Sequence, residues 1–408
     1  MLEGAPGTSP FEALDSPEGA ALLAALAGFD EEHAAAAAQR ARSLATPDVA
    51  RAALATAFAR RRAGSSGKFA DAVSMVFTRT GYEQATSQAV ARHRAERFKG
   101  LAVVADLCCG IGSDSIALAE AAGRVDAFDI DVDALACARY NARAVGADRT
   151  VRFALGDATT VPLDGASAAF ADPSRRRGGD RIRDAAEYSP PLASILARAR
   201  ELPEARMCVK LAPGVDLADS SIVDALGGGS MEAEFISERG TCKEAALWCG
   251  GLARAGGARR ATAIDADGVH VFDGDPTNEP PVAPIRTFVG EPDPSVIRAR
   301  LIGALCSNHG SQVLDRRVAY LTAEKADPPR DPFVRWYRVC DVMPFGVKRI
   351  REYLRVRDVG ELVIKTRAFP LKPEEITALL KPRGINHTTI ICTTIQKKKT
   401  AIVCVPTG

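Results

Sequence analysis

Histidine and aromatic residues are scarce in this chain, with five histidines and 6% Phe, Trp and Tyr in 408 residues. The histidines are scattered and make no metal-ligand spacing, so no metal is expected. No apolar run reaches the roughly eighteen residues that a membrane-spanning helix needs. The start, Met1 to Pro10, has neither a basic flank nor an apolar stretch, and no secretion signal is expected. Ten cysteines are present, but none stand in C-x-x-C spacing. Their irregular placement argues against a disulfide framework and predicts reduced thiols in a cytoplasmic protein. Net charge is also small, +2 at pH 7, but it is unevenly spread. Residues 335–408 hold 15 Lys/Arg against 6 Asp/Glu, and the rest of the chain 38 against 45. A basic C-terminal segment on a mildly acidic body points to a polyanion partner; the competing reading is a solvated face that merely happens to be basic.

What is present falls into three stretches. Residues from about 17 to 96 are rich in Ala, Leu, Glu and Arg, with punctuation at Pro47 and Gly64-Ser65-Ser66-Gly67, and read as helical. From about 100 to 250, short apolar runs alternate with helical patterns. Strands are expected at 102–107, 125–129, 151–154, 167–171, 206–211, 231–237 and 244–249, with helices between the first six. That is a doubly wound α/β domain. The last two strands are joined only by Glu238–Lys243, too short for a crossover helix, and should form an antiparallel hairpin. Two short strands, Ala261–Ile264 and Val269–Phe272, precede a Pro-rich linker. Beyond it come a helix at 295–306, a basic helix at 346–355, a strand at 361–366, a helix at 372–381 and strands at 388–394 and 400–405. Strand, helix, strand, strand suits a small α+β, ferredoxin-like module.

The segment Val103 to Asp114 carries the strongest signal. A buried strand runs into Asp106, then into a turn containing Cys108, Gly110 and Gly112, then into a helix. Such a loop lets the backbone touch a ligand at a helix N-terminus. The next strand ends in Asp129, followed by Ile130, 17 residues after Gly112. A carboxylate there can accept both hydroxyls of a ribose. A nicotinamide fingerprint would need a third glycine where Ser115 stands. The alternative is the first motif of methyltransferases, acid-x-Gly-x-Gly-x-Gly, with Cys108 replacing the first glycine. Asp157 and Ala158 after the third strand fall where an acid meets the adenine amine. Asp172-Pro173 after the fourth falls where such enzymes place catalytic groups. Four acids in order on successive strand ends point to S-adenosylmethionine.

Asp172-Pro173 suits methylation of an amine. The lone pair of an exocyclic base amine is delocalised into the ring. A carboxylate, with a backbone carbonyl held by proline, can accept both N–H groups and favour a nucleophilic nitrogen. Arg175 and Arg176 follow and could hold phosphate or stack on a base. Ser189-Pro190-Pro191 looks similar but follows no strand, and reads as a helix start, with Ser at the cap and Pro at the first position.

With these residues laid out, the chain resembles bacterial class I methyltransferases that carry a C-terminal THUMP-like domain. The likeness rests on Phe77-Thr78-Arg79 through Glu83-Gln84-Ala85-Thr86, Asp106 to Gly112, Asp172 to Arg176, Glu291-Pro292-Asp293 leading into Val296 to Ala299, and Val359 to Lys365. It implies a class I, Rossmann-like α/β methyltransferase core (97–290) between an N-terminal helical region (1–96) and an α+β, ferredoxin-like (THUMP-like) domain (291–408). The core is also similar to trimethylguanosine synthases, which implies that Phe77, Thr78 and Gln84 close over cofactor and base. Ser174 and Arg175 depart from the proline and aromatic that amine methyltransferases usually place after the acid-Pro pair. Arg175, Phe77 or Tyr82 is expected to supply the stacking surface instead. THUMP domains are associated with RNA, so the resemblance implies a structured RNA partner, tRNA or rRNA, with guanine favoured as the methylated base. Three rival readings stay open here: a methyltransferase of a small molecule or protein, a non-catalytic RNA-binding protein that retains the cofactor fold, and a nicotinamide oxidoreductase.

Overall fold

The computed structural model describes residues 2, 8–174, 176–177, 180–181, 188–217, 224, 231–254, 258–324 and 331–407. The chain divides into two compact units, Met1–Glu232 with Glu244–Gly257, and Ala233–Lys243 with Ala258–Gly408. In the first unit the helical N-terminal region shares a core with the α/β layer that follows it.

The helical region holds α1 (Pro17–Leu26), α2 (Ala34–Leu44), α3 (Pro47–Ser66), α4 (Arg79–Gln84) and α5 (Gln88–Ala95). Local chemistry sets their ends. The Ser16 hydroxyl accepts from the Gly19 amide, Pro17 and Pro47 open their helices, and α3 stops at Gly67 in the left-handed region (φ 64). Leu14, Leu22, Leu26, Val76 and Phe77 pack in one cluster with Ile111, Ala136 and Cys137.

The α/β layer alternates β1 (Val103–Leu107), α6 (Ser113–Ala121), β2 (Arg124–Asp129), α7 (Val132–Ala144), β3 (Val151–Leu155), β4 (Ala168–Ala171), the two-residue pair β5 (Arg176–Arg177) and β6 (Asp180–Arg181), α8 (Leu192–Ala197) and β7 (Met207–Leu211). Strands β3, β2, β1, β4 and β7 lie side by side in that order, all parallel. Every residue of β4 and β7 is buried, as befits strands covered on both faces. The helix expected between β3 and β4 is absent: residues 156–167 form turns instead. Most of the segment between β7 and the next strand lies outside the described residues.

The stretch expected to form a hairpin holds β8 (Met231–Glu238) and β9 (Thr241–Cys249). Arg239 and Gly240, both at positive φ, make its two-residue turn. Within the first unit, β9 runs antiparallel to β7.

In the second unit β10 (Arg259–Asp265) pairs parallel with β8, and β11 (Gly268–Gly274) antiparallel with β10. Next come β12 (Phe288–Pro292), α9 (Pro294–Arg298), α10 (Ile302–His309), β13 (Gln312–Asp315), β14 (Val318–Ala323), β15 (Val334–Pro344), α11 (Val347–Val356), β16 (Val359–Arg367), α12 (Pro373–Leu380), β17 (Asn386–Ile395) and β18 (Lys398–Pro406). The single helix expected at 295–306 is two, broken where Arg300 takes a left-handed conformation (φ 61). The order β13-β14-β12-β15-β18-β17-β16 makes one sheet, antiparallel except for β16 beside β17. Ile350 and Leu354 of α11 and Ile376 and Leu380 of α12 cover Ile390, Cys392, Ala401 and Val403. Among the described residues, no helix is long and apolar enough to cross a membrane.

One buried cation ties α5 to the sheet. Arg94 donates to Asp114 Oδ1 (2.5 Å) and to Thr86 Oγ1 (3.1 Å), lies 2.9 Å from Glu244 Oε1, and stacks 4.5 Å from the Phe170 ring. Burial opposes its charge, yet Asp114 and Glu244 outweigh burial and hold its pKa above the ordinary guanidinium value. Arg94→Ala leaves two carboxylates without their counter-charge and should cost about 3–5 kcal/mol in urea denaturation. A loss under about 1 kcal/mol, the range of an exposed ion pair, would show that this clamp is dispensable.

Candidate functional site

The loop after β1 turns on three left-handed residues, Cys108 (φ 68), Gly110 (φ 56) and Gly112 (φ 85). At Gly112 a Cβ would come within 3.1 Å of Ala138 Cβ and 3.2 Å of its Cα, so the glycine lets α7 pack closely. At Gly110 a Cβ would meet nothing, and the backbone there faces open space. Cys108 holds the same hand without being glycine, a conformation that ordinary residues adopt at a cost. Burial first, then Asp129 and Asp172, push its thiol far above its ordinary range, so it stays protonated at neutral pH.

Backbone donors fasten this loop to the end of β2. The Gly110 amide donates to Asp129 Oδ2 (2.7 Å) and the Cys109 amide to the Phe128 carbonyl (2.9 Å). Asp129 Oδ1 accepts from the Asp131 amide (2.9 Å). The carboxylate still has acceptor capacity left for a ligand. Burial raises the Asp129 pKa, with the backbone donors opposing it.

A cavity of about 850 Å³ opens over these residues. Cys108, Gly110, Asp129, Ile130, Asp157, Ala158, Thr78, Gln84 and Asp172, all singled out in the sequence, line it. Ile130 is 70% exposed at its rim. The carboxylate of Asp157 accepts from the amide (2.8 Å) and hydroxyl (2.7 Å) of Thr159, which hold its pKa below the usual value. The Ala158 carbonyl accepts from Arg198 (2.9 Å), which fixes this turn from behind. Thr78 caps α4 by accepting from the Gly81 amide (2.8 Å). Gln84 makes no side-chain hydrogen bond among the described residues.

Four expected site residues do not reach the cavity. Asp106 is fully buried beneath the loop, where Oδ2 accepts from Ser115 (2.5 Å) and Oδ1 has no partner among the described residues. Burial, with Asp114 nearby, pushes its carboxyl well above the aspartate range. Gly112 does not line the cavity and supports the packing of α7. Pro173 is buried behind Asp172. Phe77 is 0% exposed in the helical core, edge-on to Tyr82 and tilted against Phe69. Arg175 lies outside the described residues, and only the backbone of Arg176 is placed, in β5.

Other residues emerge only in three dimensions. Ser189, Pro190 and Pro191 line the cavity, and Ser189 pairs through its backbone with Ser174, next to Asp172 and Pro173. The reading of Ser189 as a helix cap is therefore corrected: Pro191 occupies that position and makes no side-chain cap. Beneath Asp172, Lys210 of β7 donates to Asp172 Oδ2 (2.5 Å) and to Thr86 Oγ1 (3.0 Å). A lysine inside an otherwise apolar strand is a visible anomaly, since a buried ammonium demands a partner. Thr86, Arg94 and Glu244 carried no comparable signal. Among the described residues, no His, Cys, Asp or Glu cluster could hold a metal, and no cysteine is paired in a disulfide.

An open cradle at Gly110, a part-satisfied Asp129 and an exposed Ile130 fit a nucleoside-bearing ligand in a cavity of this size. Comparison with known proteins decides which one. Residues 104–171 match a methyltransferase domain family, 334–406 a THUMP domain-like family, and 8–63 a domain of unknown function. Two relatives from Mycobacterium tuberculosis, of strains CDC 1551 / Oshkosh and ATCC 25618 / H37Rv, are each described as an uncharacterized S-adenosylmethionine-dependent methyltransferase. Each is 34% identical over 358 residues, spanning 86% of this chain and 95% of its own length. The chain belongs to the S-adenosylmethionine-dependent methyltransferases. A crystal structure of a candidate methyltransferase from Porphyromonas gingivalis W83 has the same fold, with a TM-score of 0.71, 20% identity, and coverage of 93% of this chain and 100% of that one. The protein is thus a methyltransferase enzyme, its cofactor is S-adenosylmethionine, and it carries a THUMP-like domain at its C-terminus.

With Asp129 expected to hold the cofactor ribose, its raised pKa predicts a pH-dependent cofactor affinity. A protonated carboxyl accepts fewer hydrogen bonds, so affinity for S-adenosylhomocysteine, measured by calorimetry, should fall on acidification already above about pH 4, the usual aspartate value. Asp129→Asn should bind about 10- to 100-fold more weakly at neutral pH and lose that acid limb. Unchanged affinity in the variant would remove Asp129 from the cofactor site.

Proposed function

We propose that this methyltransferase modifies an exocyclic amine of a nucleobase, guanine first, in a structured RNA such as tRNA or rRNA. The observation that carries the proposal is Asp172: it lines the cavity at the end of β4, with Oδ2 held by Lys210 and Oδ1 bonded to none of the described residues. Bound in the cavity, S-adenosylmethionine supplies an electrophilic methyl group. Asp129 holds the ribose, Asp157 the adenine amine, and Ile130 one face of the adenine. Gly110 and Cys108 present backbone to the methionine end. Asp106 and Gly112 keep the loop in shape from below. Asp172 Oδ1 accepts an N–H of the acceptor amine, and Pro173 fixes the backbone beside it. The nitrogen lone pair is then less drawn into the base ring, and the methylated amine releases its proton afterwards. Thr78 and Gln84 bound the acceptor side.

The charge of the second unit supports RNA as the carrier. Lys348, Arg349 and Arg355 of α11 and Lys397 to Lys399 at the β17–β18 turn are exposed. Contacts of this kind give affinity without sequence choice and weaken steeply with salt. Ten cysteines without a disulfide suit an activity in the cytoplasm.

Incubating the protein with tritiated methyl donor and RNA from cells lacking the gene should label one nucleoside, expected to be an amine-methylated guanosine. Asp172→Ala should lower that transfer about 100- to 1,000-fold, in the range of losing one preorganised catalytic group, while binding S-adenosylhomocysteine like the wild type. Label recovered only in protein or small molecules would refute the RNA reading. Parallel loss of cofactor binding in the variant would refute the role of Asp172.

A further inference from the structure

Strand β7 reads Met-Cys-Val-Lys-Leu and is buried along its length, including Lys210, which is 4% exposed. An ammonium in such a strand persists only if it is matched. Its stem is packed in the sheet, and its head reaches Asp172 Oδ2 (2.5 Å) and Thr86 Oγ1 (3.0 Å). Thr86 is itself held: its hydroxyl donates to Asp114 Oδ2 (2.9 Å) and accepts from Arg94. Arg94 is fixed in turn by Asp114 and Glu244. The chain of contacts therefore runs from β9 and α6 through α5 to the one carboxylate at the end of β4.

The consequence is geometric. An aspartate on a loop has two free side-chain torsions and samples several orientations. Asp172 is pinned through one oxygen to a cation that cannot move, so its other oxygen has one direction. We propose that Lys210 is a positioning residue, which orients the Asp172 carboxylate from below so that Oδ1, bonded to none of the described residues, is presented to the acceptor amine. This rests on the reading that Asp172 receives an acceptor N–H. It leaves room on the cavity wall for a second acceptor of an amine N–H. Gln84, whose amide makes no bond among the described residues, lines the same cavity.

The test compares full-length wild type with Lys210→Met, which keeps the length of the stem and removes the charge. Crystal structures of the two should show the Asp172 carboxylate displaced by about 1 Å or more, while the Asp172 Cα and Pro173 stay in place; a shift of that size costs on the order of 100-fold in turnover. In single-turnover assays the rate should fall by that order. KM for the acceptor and affinity for S-adenosylhomocysteine should stay within about twofold, because an interaction that acts on the transition state alone lowers kcat. If the methionine variant does not fold, Lys210→Gln, which keeps a shorter donor without the charge, is read in the same way. An Asp172 that keeps its wild-type orientation in the variant crystal overturns the proposal, as does turnover that falls only in step with cofactor affinity and melting temperature. The crystal comparison needs no acceptor. A displaced Asp172 with no labelled RNA nucleoside in the wild type faults the RNA reading alone, and an unmoved Asp172 faults Lys210 alone.

Discussion

A guanidinium with only 2% of its side chain exposed cannot be left unpaired, and the site is arranged around how Arg94 is paired. Its partners come from the start of α6 and from β9, and its face lies on Phe170 of β4. The helix that precedes the sheet is thereby joined to three parts of the α/β layer at once. Two cations, Arg94 and Lys210, meet three carboxylates, Asp114, Asp172 and Glu244, in the interior. Burial pushes the Glu244 carboxyl up, and Arg94 and Lys210 only partly offset it. Taking so many charges out of water rarely stabilises a fold more than apolar packing of the same volume would. What the arrangement delivers is direction: each charge has one place to sit, and the last in the chain of contacts faces the cavity.

The cofactor side solves a different problem with backbone instead of charge. A loop that must approach a ligand closely cannot carry side chains on its inner surface, and a run of left-handed residues turns those side chains away. Glycine does this freely at 110 and 112. Cys108 does it under strain, of a kind that tends to persist where function requires it. Two backbone donors from the loop grip the end of β2, so loop shape and the position of the Asp129 carboxylate are one property rather than two.

Much of this was legible in the chain itself, because a parallel sheet is written as short apolar runs whose ends carry its chemistry. Asp129, Asp157 and Asp172 stand at such ends and line one cavity. Misreadings came where a residue type serves two purposes. Asp106 and Gly112 look like ligand contacts but act beneath the loop, since the same acid and glycine that let a ligand approach also let α6 and α7 pack. Phe77 was expected to stack on a base, but an aromatic side chain in a helical segment gains more from burial in the core. Ser189-Pro190-Pro191 resembled a helix start by local pattern. Its pairing with Ser174 is long-range, and no local pattern encodes that. Strands β12 to β15 went unread because their partners are remote in sequence and their alternation is irregular. Lys210 was legible and missed, a charge in a strand otherwise read correctly as buried.

The absence of an aromatic ring bears on what the acceptor is. Among the described residues lining the cavity there is none. Phe77 is sealed in the core, and Tyr82 is occupied edge-on by Phe77 and by the cations of Arg62 (5.0 Å) and Lys68 (4.8 Å). The acceptor wall instead offers Thr78, Thr80, Gln84, Ser174, Ser189 and Ser194, with Pro190 and Pro191 as its apolar part. Such a wall orients a guest through hydrogen bonds along its edges rather than by stacking on its face. An apolar acceptor would leave the Gln84 amide, which bonds to none of the described residues, without a partner, at a cost of about 1–3 kcal/mol. Under the proposal above, a guanine would offer the donors and acceptors of its rim to that amide and to Asp172.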